Sequence, residues 1–350
     1  MTPPAPDKIA TALTVLQSLG VSAEDLKGLS TRPPLPTFAE YIPRVYASLP
    51  ATLTRDAYLG YWRRLLELDG WADRRLDEVT VTDLQLAIEL LQTQRKVRRN
   101  DRNGYSVRIH AVVALRRLYQ SAVDDRLIDA TDNPAQRLRL PRQQPSTRDK
   151  IPDEILRQMY DIAATTGQDP ELDLLLLRLH TETACRPIGA MSLRRIDLDT
   201  TQCLIRLREK GNTERWQPVS PSLMDALLRH AADRPVAPDE PLLRSKRGGR
   251  PVRRRRYENM FVRMSRYIPD ITVRGISIYW LRHTTLKWVE RNFGLSVAKA
   301  YAGHADSHRD GATTIYTRAS TSEVAEALSW LTGEQHPLAP SADYGSQPNE

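Results

Sequence analysis

At 350 residues the chain exceeds one small domain, and at about 100 to 200 residues per domain it points to two. It carries 51 lysines and arginines against 43 acidic residues, a formal charge of +8, which favours a polyanionic partner, with nucleic acid first in line. No apolar run of about 18 residues exists to span a bilayer, the MTPPAPDK start lacks the basic and apolar regions of a secretory signal, and Cys185 and Cys203 have no metal-ligand spacing. These features argue against a membrane, a disulfide framework and a zinc site, and place the chain in the cytoplasm with reduced thiols.

Residues 1–36 form an appendage, proline-rich at both ends around Ile9, Leu13, Leu16 and Leu19 at helical spacing. From 37 to 140 the pattern predicts a helical bundle. Thr82 is placed to cap a helix carrying Leu84, Ile88 and Leu91, and Ser106 one carrying Val112, Leu115, Leu118 and Ala122. Between them QRKVRRNDRNG ends in an Asn-Gly turn, and its Lys96, Arg98, Arg99 and Arg102 suit either a solvated charged loop or one that grips phosphates. Residues 141–150, rich in proline and basic residues, read as an extended linker.

The second domain, 151–333, opens with a helix that has Pro152 in its first turn and Ile155, Leu156, Met159 and Ile162 along one stripe. Further helices are predicted at 170–183, 221–232, 254–267, 278–292, 297–302 and 322–332. One hairpin interrupts them: Cys203, Ile205 and Leu207 alternate with polar neighbours, Gly211-Asn212 turns the chain, and Glu214 to Val219 return. The expected fold class is mainly α with a small antiparallel sheet, followed by a disordered tail over 334–350. Trp280, Trp288 and Trp330 are expected in the core, and His180 and His283 as structural histidines.

Four segments carry the chemistry. HTETACRPIGAMSLRRIDLD sets Arg186 between two apolar stretches; IRLREKGNTERWQPVSP puts Lys210 at the hairpin tip; SIYWLRHTTLKW contains Arg282; AGHADSHRDGATTIYTRAS contains His304 and Tyr316. In this order the segments resemble the tyrosine recombinase, or phage integrase, family over Ile151 to Leu331, and the helix after Ser106, ending in NPAQRL, resembles that family's core-binding domain. The resemblance implies a SAM-like helical core-binding domain followed by a catalytic domain of the DNA breaking-rejoining fold. It also implies double-stranded DNA as partner, Tyr316 as nucleophile, Arg186, Arg282 and His304 on the phosphate, and Lys210 as general acid.

Those residue types suit the reaction. A pentavalent phosphorus transition state builds negative charge, and guanidinium stays protonated while offering a planar fork to two oxygens. A phenol oxygen conserves the phosphate bond energy as phosphotyrosine, so neither cofactor nor metal is required. The sequence departs from the family in three places. Tyr279 stands where the family most often has the histidine of HxxR, and is assigned a positioning role. Gly189 occupies the place, three beyond Arg186, where an acidic residue frequently steadies the arginine. The interval from His304 to Tyr316 is long.

Structural ion pairs are the plain alternative for Arg186 and Arg282, and a solvated face for the basic run RSKRGGRPVRRRRYENM. Within that run Lys246, Arg247, Arg250, Arg253, Arg254, Arg255 and Arg256 are candidate DNA contacts. The family resemblance further implies four protomers on two DNA sites, a Holliday junction, accessory DNA-bending or directionality factors, and a nucleoid-associated protein. Val324, Ala327 and Leu328 on one face of 322–331 suggest docking on a neighbouring protomer. The rival readings are a catalytically inactive DNA-binding protein and a strand-relaxing topoisomerase of the type IB kind.

Overall fold

Reciprocal caps start several of the helices. In the computed structural model, which describes residues 6–21, 35–95, 103–142, 149–209, 213–303 and 319–340, the chain divides into two units, Met1–Gln144 and Pro145–Glu350. The first holds α1 (Pro6–Ser18), α2 (Phe38–Ser48), α3 (Leu53–Leu66), α4 (Val81–Thr93) and α5 (Tyr105–Asp124). On α1, Leu13 and Val15 remain exposed. The others bury Phe38, Tyr41, Trp62, Leu65, Leu84, Leu118 and Tyr119 in one core, each apolar side chain contributing roughly 1.5–3 kcal/mol. The polar atoms of its aromatic residues are satisfied: Trp62 Nε1 donates to the Ala114 carbonyl at 3.0 Å and the Tyr119 hydroxyl to that of Leu76 at 3.1 Å.

Two expected caps are displaced. Thr80, not Thr82, caps α4, because Asp83 three residues on returns the bond: Asp83 N donates to Thr80 Oγ1 at 3.2 Å and Thr80 N to Asp83 Oδ2 at 2.8 Å. Gly104 caps α5 in the left-handed region, φ 73°, following Asn103 at φ 50°, so the Asn-Gly turn itself starts the helix and Ser106 lies exposed in its first turn.

The second unit contains α6 (Asp153–Thr165), α7 (Pro170–Thr183), α8 (Pro187–Met191), β1 (Leu198–Asp199), β2 (Leu204–Glu209), β3 (Thr213–Pro218), α9 (Pro221–Asp233), α10 (Arg254–Met264), α11 (Pro269–Arg274), α12 (Ile278–Ala302) and α13 (Thr321–Thr332). The mainly helical class with a small antiparallel sheet is the one observed. Pro152 is the cap of α6 and not its first helical residue. The sheet has order β1-β2-β3, with Leu198 opposite Ile205, Leu207 opposite Arg215 and Glu209 opposite Thr213. Cys203, expected in the strand, has φ 51° and belongs to the turn that enters β2. The expected helix over 254–267 stops at Met264, and the short α11 follows, ended by Gly275 at φ 66°. Gly294, at φ 84° and ψ 170°, breaks α12 into the two segments foreseen, since that backbone region is open essentially to glycine alone.

Helix α7 packs against α6, α9 and α12. Its last turn runs into Ala184, a fully buried residue at φ 48°, a left-handed conformation costing a non-glycine residue roughly 1–2 kcal/mol. That turn releases Cys185 and Arg186 from the helix. Val324, Ala327 and Leu328 of α13 are buried in their own chain against Ala184, Val289, Val297, Ala298 and Tyr301, so the face expected to meet a neighbouring protomer is already covered. Trp330, expected in the core, is exposed. The tail expected from 334 is packed through 340: Ser222 N donates to Glu334 at 3.0 Å, His336 N donates to Ser329 Oγ at 3.0 Å, and the His336 ring contacts the Cys203 carbonyl at 3.1 Å.

Candidate active site

Arg186 caps α8 with an extended backbone, φ −76° and ψ 152°. Its backbone N–H donates to Glu209 Oε1 at 2.5 Å and its Nη1 to Glu209 Oε2 at 2.5 Å, so one carboxylate holds both ends of the residue. Glu209 ends β2 with its side chain 1% exposed, whereas the Arg186 side chain is 30% exposed and open to a ligand. Arg215, from β3, reaches the same Oε2 at 3.4 Å and also donates to the Thr183 carbonyl at 3.2 Å and Gln217 Oε1 at 3.1 Å. Gly303 makes room for it, because a Cβ there would lie 2.5 Å from Arg215 Cδ.

Arg282, on the second turn of α12, is buried. Its Nη1 donates to the Ala184 carbonyl and its Nη2 to that of Ala302 at 2.7 Å, which ties α12 to the turn preceding Arg186. Burial, reinforced by the charge of Arg186, lowers its pKa to about 10, with Glu209 opposing the shift; the group stays protonated at neutral pH. Burial also lowers Arg215, again against the pull of Glu209. Two guanidiniums thus bond one carboxylate while the charge of a third, Arg282, acts on the same site, which leaves net positive charge beside an open arginine, an arrangement suited to an oxyanion. Arg186 and Arg282 are therefore brought together. Glu209 and Arg215 escaped the reading of the sequence, although both lie in the quoted hairpin segment, one directly before Lys210 and the other just after the turn.

Tyr279 lies one turn before Arg282 and is 43% exposed. His180 is buried, its Nδ1 3.1 Å from the Cys185 carbonyl and its Nε2 3.0 Å from the Tyr257 hydroxyl. Burial lowers its pKa to about 4, so it is neutral, and burial raises the Tyr257 phenol. A phenol that keeps its proton donates to Nε2, which leaves Nδ1–H to donate to the carbonyl. His180 thus acts as a strut under the turn leading to Arg186. Lys210, His304 and Tyr316 lie outside the described residues, as do Lys96, Arg98, Arg99 and Arg102.

The basic run divides in two. Lys246, Arg247, Arg250, Arg253, Arg254 and Arg255 are exposed, Arg254 pairing along its helix with Glu258 at 3.2 Å. Arg256, expected among the DNA contacts, turns inward: its Nε donates to Asp173 Oδ1 at 2.8 Å and its Nη2 to the Asp169 carbonyl at 3.0 Å. Asp173 is fully buried and also accepts from Arg263 at 2.6 Å, so a buried carboxylate has claimed Arg256. Among the described residues no helix is long and apolar enough to cross a membrane, and no cluster of three or more His, Cys, Asp or Glu side chains could hold a metal ion.

Residues 150–323, about half of the chain, match the phage integrase family. The chain belongs to that family, the tyrosine recombinases. A curated relative, tyrosine recombinase XerC of Chlamydia caviae, is 29% identical over 187 residues, which cover 52% of this chain and 57% of that protein; the match therefore takes in little more than half of the relative's length. Among solved structures, the Tn1549 transposon integrase in complex with a circular intermediate DNA superposes with a TM-score of 0.62 at 14% identity, covering 81% of this chain and 95% of that one. A lambda integrase tetramer bound to a Holliday junction gives 0.61 at 14% identity, covering 87% and 89%. At such identity these likenesses establish the integrase fold. The segments quoted from the sequence as resembling the tyrosine recombinases fall, up to Tyr316, within the matched stretch.

Proposed function

We propose that the protein is a site-specific DNA recombinase that cuts and rejoins duplex DNA through a 3′-phosphotyrosyl intermediate. The observation that carries the reading is the convergence of Arg186 and Arg282 beside Glu209, at the root of the hairpin that leads to Lys210. In the proposed step the Tyr316 hydroxyl gives its proton to water as its oxygen bonds to the scissile phosphorus and the bond to the 5′ oxygen breaks. Lys210 gives that oxygen its proton, and Arg186, Arg282 and His304 meet the charge on the nonbridging oxygens. Rejoining reverses the step, so the phosphate bond energy is conserved without ATP or a metal.

Tyr279 is proposed to position the phosphate by a hydrogen bond from its phenolic hydroxyl, in place of the imidazole that the family most often has there. Lys246, Arg247, Arg250 and Arg253–Arg255, with Lys96, Arg98, Arg99 and Arg102 of the other unit, are proposed to contact DNA phosphates. The domain limits read from the sequence, 37–140 for DNA binding and 151–333 for catalysis, are part of this proposal. So are a tetramer on two DNA sites, a Holliday junction between strand exchanges, accessory bending or directionality factors, and association with the nucleoid. The inactive DNA-binding reading rests on Tyr279 and on the absence of an acid at Gly189; the Glu209 clasp on Arg186 answers the second of these, and the first is left to the test below.

The test begins by selecting the DNA sequence that the protein binds and building it as a nicked suicide substrate. Wild-type protein is expected to form a covalent complex that survives denaturation, and Tyr316→Phe to form none while still binding. Good binding with no covalent complex from the wild type would establish the inactive reading. Relaxation of plasmid lacking the site would establish a topoisomerase.

A further inference from the structure

Glu209 approaches Arg186 from a strand, although a nearer place for a carboxylate exists on the arginine's own helix. Arg186 is the cap of α8, and Gly189 is the third residue of that helix. A glutamate at this third position ordinarily reaches back to the N–H of the cap residue, the reciprocal half of a capping box. Here the Arg186 N–H is taken by Glu209 Oε1 at 2.5 Å, and position 189 carries no side chain at all. The two facts are linked by space. A Cβ added at Gly189 would stand 3.2 Å from Glu209 Cγ and 3.3 Å from Oε1, while the next contact, the Arg208 carbonyl at 3.6 Å, is ordinary. A glutamate at 189 would therefore press one carboxylate against another in a nearly dry site. The structure accommodates one acid or the other.

We infer that Glu209 is the positioning residue for Arg186, and that Gly189 is the vacancy which lets a strand-borne carboxylate replace a helix-borne one. The consequence reaches further than the arginine. Glu209 directly precedes Lys210 in the chain, so the group that fixes the guanidinium also anchors the residue before the proposed acid. Arg215, bonded to the same carboxylate oxygen, braces it from the opposite strand, against Gln217 and the last turn of α7. Arg186 and Arg215 thereby share one carboxylate, and moving the acid to the helix would release Arg215 from it.

The activity readout of this inference rests on the recombinase reading; the structural one does not. The experiment is a double-mutant cycle of Glu209→Ala, Gly189→Glu and the two together, in the full chain, followed by single-turnover covalent-complex formation at saturating DNA, by DNA affinity and by melting temperature. Glu209→Ala is expected to slow cleavage at least about tenfold, because a misplaced phosphate-holding group costs rate more than binding. Its DNA affinity should stay within about threefold, since the exposed basic residues that supply affinity are untouched. Gly189→Glu alone is expected to lower both the rate and the melting temperature.

The double variant should recover at least half of the logarithmic loss in rate and regain melting temperature over Glu209→Ala. A double variant no better than the single one, or a folded Glu209→Ala that cleaves like wild type, overturns the inference. If Glu209→Ala does not fold, the cycle is run with Glu209→Ser, which likewise clears the Cγ and Oε1 positions beside residue 189, under the same criteria. Should wild-type protein form no covalent complex, the recombinase reading fails and melting temperature alone decides: recovery by Gly189→Glu in the Glu209 variant supports the clasp, and no recovery refutes it.

Discussion

Around Glu209 the arginines are held by named partners in a poorly solvated site, whereas along the run from Lys246 to Arg255 basic side chains are exposed, Arg254 pairing with Glu258 along its own helix. The first arrangement fixes where charge sits before any substrate arrives, and in low dielectric such charge acts strongly at short range. The second is screened, adaptable and additive, the character of groups that neutralise a polyanion without placing any one atom. Charge alone does not separate the two regions. Burial and partner geometry do, and Arg256, inside the run by sequence and outside it by structure, shows why.

If that division is right, the sharpest break comes from the buried set. Arg282→Ala should reduce single-turnover cleavage at least about 10²-fold, the usual cost of one transition-state donor, with affinity for the site much less affected. Arg186→Ala should behave in the same way. Equal losses in binding and cleavage would erase the distinction between the regions.

Acid should weaken the buried region next. His180 has a folded pKa of about 4, below its ordinary value of 6.5, so the unfolded chain binds the proton first. Its contribution is complete above pH 6.5 and is lost as pH falls toward 4. Between pH 7 and 5 this amounts to about 2 kcal/mol. His230, also lowered to about 4 by burial, acts in the same direction. Denaturant melts at both pH values should show the fall, and His180→Gln should flatten it; an unchanged slope would mean that His180 is not buried in its neutral form.

Arg256→Ala is a finer probe. It is expected to cost about 1–2 kcal/mol in denaturant unfolding, since Asp173 keeps its bond from Arg263, and to leave the salt dependence of DNA binding unchanged. Arg247→Ala, the smallest effect, should do the reverse: unfolding unaltered, affinity about threefold weaker, and the slope of log affinity against log salt shallower by about 0.9. Identical behaviour of the two variants would contradict the split within the basic run.

The sequence exposed what is local or strongly periodic. Helices such as Pro170–Thr183 and Pro221–Asp233 announce themselves by a proline at the first helical position and a continuous apolar stripe, and the break in α12 by a glycine inside the helical pattern. Arg186 and Arg282 could be singled out because unpaired cations sit badly in apolar stretches. What stayed hidden depends on long-range pairing. Glu209 was overlooked because a partner for Arg186 was sought three residues away along the helix, and the one it has lies on a strand 23 residues on. Arg256 looked like its exposed neighbours because its carboxylate is 83 residues distant. The apolar face of α13 was legible, but periodicity says only that such a face is covered, not by which chain.

The central claim concerns which cations meet the reacting phosphorus. A structure of the protein on its nicked site DNA tests it most directly. The account predicts guanidinium nitrogens of both Arg186 and Arg282 within hydrogen-bonding distance of the nonbridging oxygens of one phosphate, with Glu209 still clasping Arg186. A scissile phosphate held instead by the exposed arginines between 247 and 255, with Arg186 and Arg282 unmoved in their internal bonds, would contradict it.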